Sequence, residues 1–292
     1  MTLEYKILWI DNDDSIYRHH QNDIEEHLLS LGFSPIITKG KDYNTFIDLK
    51  SELNDFNLFI LDYKLDKIKD EKGLDKVVNG NKIIQDIRDK KSIYTDVIFY
   101  SAVENDMREQ AYKDKLNGVY FTNRSFEDFE DDVLGVIDVT IKKTQDVNNL
   151  RGLIMSEVAE LDRIKERIII NYANKNKCGT IEKYILKTLT KSYSDNTKEV
   201  IKFQESPIID ILDKLYVDSD KKARTVKKVE PTFDESNYRK DILNVRNILA
   251  HVEEQNNMIG NIPFTSERCI KIRKDIKDYK KVLEKIEQEI NE

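Results

Sequence analysis

Short apolar runs alternate with helix-like apolar spacing along the first half of the chain. The run KILWI at residues 6–10 stops at Asp11, and the segment from Ser15 to Leu31 repeats its apolar residues at helical intervals before Gly32. The alternation continues to about residue 121, which predicts a doubly wound, five-stranded parallel sheet with helices on both faces. The predicted strands are 6–10, 35–38, 58–61, 97–100 and 119–121, and the predicted helices are 15–31, 43–53, 83–88 and 106–116.

The pattern changes after about Lys143, where β-like runs give way to long charged helices. No segment rich in proline, glycine or serine separates the two halves. We therefore predict two coupled domains, an α/β domain over residues 1–143 and an all-helical bundle over residues 144–292. The predicted helices of the bundle are 147–173, 180–193, 206–217, 236–257 and 266–290.

Composition and charge narrow the class of protein. Charged residues make up 35% of the chain, and the net charge of -7 combines an acidic first half with a slightly basic second half. The basic half can approach nucleic acid without long-range repulsion. Two cysteines, Cys178 and Cys269, are too few to stabilise a secreted chain of this length by disulfide bonds. The N-terminus lacks a signal-peptide pattern, and no apolar run is long enough to span a bilayer. We expect a soluble protein of the reducing cytoplasm, with no membrane partner.

Polar side chains follow three of the predicted strands. Asp11, Asn12 and Asp13 come after the first strand, Asp62 after the third and Ser101 after the fourth. Ligands of parallel sheets bind beyond the carboxyl ends of the strands, so we expect these side chains to converge. Carboxylates from two strand ends can share Mg²⁺ through their oxygens. The plainer interpretation is turn chemistry, in which Asp and Asn bond the local backbone.

The motifs ILWIDND, FILDYKL, NGNKIIQDIR and VIFYSA, followed by GVYF, occur in this order over about residues 4–140. The segment resembles the receiver domain of two-component response regulators. The resemblance implies that Asp62 accepts a phosphoryl group and that Asp11 and Asp13 hold Mg²⁺ together with Asp62. It also implies that Ser101 is a switch hydroxyl and that a sensor kinase or another regulatory protein is a partner.

Three features depart from the receiver pattern. Asn12 stands where the family has the second acid of its pair, unless Asp13 takes that place. The lysine expected after the fifth strand is absent, and Arg124 is the cation that follows that strand. The segment from residue 62 to 80 is long and charged where the family has a tight turn. Phosphorylation of Asp62 is therefore left open by the sequence.

The second predicted domain contains RNILAH at residues 246–251. On a helical wheel Arg246, Asn247 and His251 lie outside the apolar stripe, and Asn247 is one turn from His251. An amide at that position can orient the imidazole, and the guanidinium can bind a phosphate. This chemistry suits RNA cleavage with His251 as general base or acid, whereas the plainer interpretation is a surface histidine beside an arginine. The predicted buried stripe consists of Ile242, Val245, Ile248, Leu249 and Val252.

The RNxxxH string resembles the HEPN superfamily over about residues 147–290. That resemblance implies a helical bundle that dimerises around the motif. It also implies metal-independent endoribonuclease activity of the toxin or phage-defence type, with RNA as partner and no cofactor for the nuclease. The family's catalytic positions map to Arg246, Asn247 and His251. Some members carry a further acid on the first helix, for which Glu157, Glu160 and Asp162 qualify.

The two resemblances together predict a signal-regulated endoribonuclease with a receiver-like regulatory domain. The alternative is a phosphorelay or signalling adaptor without nuclease activity, in which His251 is a phosphoacceptor or a structural residue. The basic segment 221–228 is either a contact for RNA phosphates or a solvated face. His19 and His20 lie on the first predicted helix, and we expect both at the surface.

Overall fold

The chain divides into two units, Leu3–Asp146 and Val147–Glu292. The first unit contains a five-stranded parallel sheet with flanking helices and the second is mainly helical, which confirms the predicted α/β class and the predicted helical second half. The computed structural model describes residues 3–49, 51–69, 75–91, 93–101, 104–113, 118–144, 147–176, 179–192, 200, 202–251, 258–259, 262–263 and 265–292.

The strands of the α/β unit are β1 (Glu4–Ile10), β2 (Ser34–Gly40), β3 (Leu58–Asp62), β4 (Lys64–Lys69), β5 (Asp75–Asn79), β6 (Asp96–Ser101) and β7 (Val119–Asn123). The main sheet has the order β2–β1–β3–β6–β7, with all neighbours parallel. The central strand β3 is buried along its whole length, as expected for a strand covered on both faces. The chain changes its winding direction between β1 and β3, so a crevice opens at the carboxyl ends of these strands.

Helices cover both faces of the sheet. Alternate residues of β1 supply the two cores, with Ile7 and Trp9 on one face and Leu8 and Ile10 on the other. Each fully buried side chain of this kind contributes roughly 1.5–3 kcal/mol of hydrophobic stabilisation. The first core is completed by α1 (Asp14–Ser30) and α5 (Phe126–Thr144), and the second by α2 (Tyr43–Asp48), α3 (Gly80–Lys91) and α4 (Glu104–Lys113).

The long charged segment after Asp62 contains an antiparallel hairpin of β4 and β5. The sequence pattern predicts no strand here. The β4 sequence KLDKIK has a single β-branched residue, so its composition carries little strand signal. The hairpin leads the chain back to the sheet, where the backbone N–H of Gly80 donates to the Tyr63 carbonyl at 3.0 Å.

The second unit is built around its longest helix. This helix, α6, packs against the other helices of the unit, and a two-bond ion pair between Arg167 and Glu287, at 2.6 and 3.0 Å, ties it to the last helix. No helix in the described part of the chain has the length and apolar character needed to cross a membrane. The elements are α6 (Val147–Asn176), α7 (Thr180–Ser192), α8 (Ile208–Lys214), α9 (Ser219–Val229), α10 (Glu235–Tyr238), α11 (Asn244–His251), β8 (Met258–Ile259), β9 (Ile262–Pro263) and α12 (Ser266–Asn291).

Several elements of this unit differ from the prediction. The basic segment 221–228 lies on helix α9, and β8 and β9 form a small antiparallel pair in a half predicted to be all helical. The helix predicted over 236–257 is interrupted by a π-helical segment, Arg239–Leu243, in which the N–H of Asn244 donates to the carbonyl of Arg239. Residues 252–257 of that prediction lie outside the described residues. π-Helical turns are frequent next to functional sites.

The expectation that His20 lies at the surface is wrong. Its side chain has 0% exposure, and its ring lies 5.0 Å from that of Phe129 on α5. The reason is the four-residue spacing of Ile16, His20 and Ile24, which places all three on the buried face of α1. The neighbouring His19 is exposed, as expected.

Candidate functional site

The carboxyl ends of the strands in the α/β unit surround a cavity of about 310 Å³. Neighbouring parallel strands end at the same edge, so the polar residues after β1, β3 and β6 meet there. The structure thus brings Asp13, Asp62 and Ser101 together, and Asp11 joins them through its ion pair with Arg124. The cavity is lined by Asn12, Asp13, Asp62, Lys64, Ser101 and Arg124.

Arg124 lies among the carboxylates of this cavity. Its Nη2 atom is 3.1 and 3.3 Å from the two oxygens of Asp11 and 3.2 Å from Oδ2 of Asp62. Its Nη1 atom is 3.5 Å from Oδ2 of Asp13. One guanidinium therefore bridges acids from two strand ends and partly neutralises their repulsion.

Asp11 is held by two groups besides Arg124. Its Oδ1 accepts the backbone N–H of Asp13 at 2.8 Å, and its Oδ2 accepts the hydroxyl of Tyr100. The Tyr100 oxygen in turn accepts the indole N–H of Trp9 at 3.0 Å. Sequence reasoning missed Tyr100 and Trp9, because buried aromatic residues of a strand ordinarily serve only as core.

The three aspartates have different electrostatic environments. Burial raises the pKa of Asp62 from its ordinary value of 3.8 to about 7, Arg124 lowers it, and Asp11 raises it. Burial also raises the pKa of Asp11, against the hydrogen bond from Tyr100. The exposed Asp13 has a lowered pKa, chiefly because it accepts the Ser15 N–H at the start of α1. Asp62 therefore changes its charge near neutral pH while Asp13 stays ionised.

The donor atoms of the cavity suit a hard cation. Asn12, Asp13 and Asp62 present amide and carboxylate oxygens, which are the ligand type that Mg²⁺ takes in proteins. Arg124 lies against two of the same carboxylates. A magnesium ion at this site would therefore compete with the guanidinium for the same negative charge.

The helix after the hairpin approaches the end of β3 closely. A Cβ atom at Gly80 would lie 2.3 Å from the carbonyl oxygen of Asp62 and 2.7 Å from the Phe99 ring. Such distances are far inside van der Waals contact, so only glycine fits. Gly80 thus lets α3 begin directly behind the candidate phosphoacceptor.

The RNxxxH motif lies on helix α11 of the second unit. Arg246 is half-buried and Asn247 is exposed, whereas Ile242 and Leu249 of the predicted stripe are buried. Val245 and Ile248 are half-buried, and Val252 lies outside the described residues. The polar pair therefore projects away from the core.

Arg246 and Asn247 contact each other. Oδ1 of Asn247 accepts from Nε of Arg246 at 3.1 Å and from Nη2 at 2.7 Å. The sequence also predicts that this amide orients His251. The backbone of His251 ends α11, and its side chain lies outside the described part of the chain.

Helix α6 contacts helix α11, which carries the RNxxxH motif. Nε of Arg151 donates to the Leu249 carbonyl at 2.7 Å, which anchors the last turn of α11. Sequence reasoning missed Arg151, since nothing local distinguishes it from the other arginines of the charged helices. The contact fixes the end of the helix that carries His251.

A buried lysine network lies in the same unit. Nζ of Lys165 is 2.7 Å from Asp162, 3.1 Å from Oγ of Ser219 and 2.9 Å from the hydroxyl of Tyr238. Burial lowers the pKa of Lys165 to about 8, and the charge of Arg246 acts in the same direction. Asp162, one of the three acids considered for the first helix, is thus paired with a buried cation, while Glu160 pairs with Arg163 at 2.6 Å.

The basic segment on α9 is largely paired with acids. Lys221 contacts Asp218, Lys222 lies 2.7 Å from Glu166, and Arg224 lies 2.9 Å from Asp220. The apolar residues between them, Ala223 and Val226, are buried. These contacts favour the interpretation of the segment as a helix face over a contact for RNA phosphates.

The sequence matches no protein-family model, and a comparison with curated proteins finds no match. The geometry described above therefore carries the functional argument.

Proposed function

We propose that this protein is a signal-regulated, metal-independent endoribonuclease with a receiver-like regulatory domain. The observation that carries the proposal is the pair of half-buried Arg246 and exposed Asn247 on a helix that ends at His251. The strand-end cavity of the other unit supports the regulatory part. The sheet that forms this cavity has the strand order of doubly wound receiver-type sheets. In such sheets ligands bind at the carboxyl ends beside the first strand.

The proposed chemistry is cleavage of an RNA phosphodiester. His251 takes the proton of the attacking 2′-hydroxyl or protonates the leaving oxygen. A guanidinium carries five N–H donors, of which Asn247 accepts two from Arg246, and the remaining donors are available for the scissile phosphate. A complete reaction uses both a base and an acid, so a twofold dimer that pairs two such helices supplies the second imidazole.

The proposed regulation acts at Asp62. Its carboxylate attacks the phosphorus of a phosphoryl donor, the bond from phosphorus to the leaving group breaks, and an acyl phosphate forms. Arg124 and the hydroxyl of Ser101 line the cavity and can contact the new phosphoryl oxygens. Asp13 and Asp62 of the predicted metal set would hold Mg²⁺ together with Asn12, which lines the cavity where the predicted ligand Asp11 does not. The contribution of the ion would be to neutralise phosphoryl charge. We propose a sensor kinase or another regulatory protein as the source of the signal.

Purified full-length protein incubated with total RNA and EDTA tests the nuclease. We expect cleavage by the wild type and a loss of about 10²–10⁴-fold in rate for His251→Ala. We expect a loss of about 10²–10³-fold for Arg246→Ala. Asn244→Ala changes an exposed residue two positions before Arg246 on the same helix and should cleave normally. Equal cleavage by the wild type and both motif variants rejects the assignment.

Acetyl phosphate with Mg²⁺ tests the regulation. We expect the treatment to change the dimer fraction or the cleavage rate of the wild type, and to leave Asp62→Ala unchanged. Sedimentation velocity and the RNA assay measure the two effects on the same samples. No response in the wild type, with Asp62→Ala behaving identically, rejects phosphorylation as the signal.

A further inference from the structure

A histidine and two carboxylates meet between α1 and α5 of the α/β unit. His20 and Asp23 are one turn apart on α1, and Glu130 lies on α5. One ligand atom from each residue can be chosen so that all three lie within 4.8 Å of one another. None of the three lines the strand-end cavity.

The contact between the His20 ring and the Glu130 carboxylate is longer than the commonest hydrogen bonds. Nδ1 of His20 lies 3.5 Å from Oε2 of Glu130, whereas N–H···O bonds cluster near 2.9–3.0 Å. Two ligands that are each about 2.0–2.1 Å from a tetrahedral Zn²⁺ ion lie about 3.4 Å apart. The observed separation therefore suits two ligands of one cation.

The same two helices provide an internal comparison. His27 of α1 lies 2.8 Å from Oδ1 of Asp138 on α5, which is a normal hydrogen-bonding distance. The residues around His20 thus form a different arrangement from this histidine–aspartate pair.

The donor set matches a borderline-soft dication. The His20 ring is fully buried beside Phe129, and a neutral imidazole is the form that binds metals. Asp23 is exposed and the Glu130 side chain is 36% exposed, so a cation can enter from solvent and the Asp23 side chain can rotate to close the set. A mixed imidazole and carboxylate set favours Zn²⁺ over Mg²⁺ and Ca²⁺, which take oxygen ligands.

We propose that His20, Asp23 and Glu130 bind one Zn²⁺ ion, that water completes its tetrahedral coordination, and that the ion ties α1 to α5. The site is independent of the proposed nuclease and of phosphorylation at Asp62. Because the ion binds the folded unit, zinc raises the thermal midpoint of that unit as its concentration exceeds the dissociation constant.

The test uses the full chain after treatment with a chelator and dialysis. Isothermal titration with Zn²⁺ should give one ion bound per chain, and Co²⁺ as a spectroscopic probe should show the visible absorption of tetrahedral coordination. Asp23→Asn and Glu130→Gln replace solvent-accessible carboxylates, so both variants should fold, and each should bind Zn²⁺ at least about tenfold more weakly. Circular dichroism checks their folding.

Two variants serve as matched controls. Asp138→Asn alters the hydrogen-bonded histidine pair between the same helices, and Asp62→Asn alters the strand-end cavity; both should retain the wild-type zinc affinity. The proposal is overturned if the wild type binds no zinc, or if Asp23→Asn and Glu130→Gln bind it as tightly as the wild type. A loss of affinity in Asp138→Asn or Asp62→Asn equal to that in Glu130→Gln also overturns it, because the ion would then bind elsewhere.

Discussion

Replacing Asp62 with asparagine should stabilise the α/β unit at alkaline pH. Burial raises the pKa of Asp62 from 3.8 to about 7, even though Arg124 acts in the opposite direction. Between these two pH values the folded protein holds a proton that the unfolded chain has released. The free energy of unfolding therefore falls as the pH rises through this window, and the loss is complete above pH 7.

The size of this effect follows from the pKa. A change of one in pKa corresponds to about 1.4 kcal/mol, so ionising Asp62 in the folded protein costs roughly 4 kcal/mol above pH 7. Asparagine has the shape and charge of the protonated acid and avoids this cost. We expect Asp62→Asn to gain up to about 4 kcal/mol at pH 8 and only about 1.5 kcal/mol at pH 5.

Urea unfolding followed by tryptophan fluorescence measures the gain in the correct unit. The chain has one tryptophan, Trp9, which is buried in β1 of the α/β unit. Asp55→Asn replaces an exposed aspartate of the same unit and should show no such gain at pH 8. If Asp62→Asn is no more stable than the wild type at pH 8, Arg124 compensates the buried charge fully and the reasoning fails.

Three further changes test other contacts. Arg124→Gln should raise the pKa of Asp62 further and lower the stability of the α/β unit at pH 8. Urea unfolding over a series of pH values measures this, and a stability profile equal to that of the wild type would contradict it. Gly80→Ala should destabilise the same unit by about 1–3 kcal/mol, because the new methyl group meets the Asp62 carbonyl, and an unaltered thermal midpoint would contradict the close approach. Lys165→Met should destabilise the helical unit by about 3–5 kcal/mol, because it leaves Asp162 without its buried cation. Circular dichroism during urea unfolding measures this loss. A variant as stable as the wild type would show that the lysine network does not stabilise the unit.

The central strands β1, β3 and β6 of the main sheet were predictable because they are largely buried. Strands covered on both faces must be apolar runs, and the acids and hydroxyls after them mark their ends. The convergence of Asp62 and Ser101 followed from parallel topology alone. The hairpin after β3 was missed because its charged sequence carries a weak strand signal, and long-range packing decides its structure. Helix α9 is amphipathic, so its helical spacing was a usable signal that the basic residues of 221–228 masked.

The detailed contacts of the candidate sites lay beyond sequence reasoning. The sequence analysis named Arg124 as the nearby cation, but which carboxylates it contacts depends on how β7 lies relative to β1 and β3. The burial of His20 was missed because one polar residue in an apolar stripe is ordinarily assigned to the surface. Side-chain pairing across 100 residues or more, as between His20 and Glu130, requires the folded arrangement of α1 and α5.

The strand-end cavity has a charge balance that constrains how a phosphoryl signal can spread. Arg124 is shared between Asp11 and Asp62, and a phosphoryl group on Asp62 adds negative charge that draws the guanidinium toward it. Asp11 then loses a partner while it remains buried, and its remaining side-chain partner is the hydroxyl of Tyr100, which also accepts from Trp9. If phosphorylation at Asp62 moves Arg124, we expect the surroundings of the indole to change, and the fluorescence of Trp9 then measures that change.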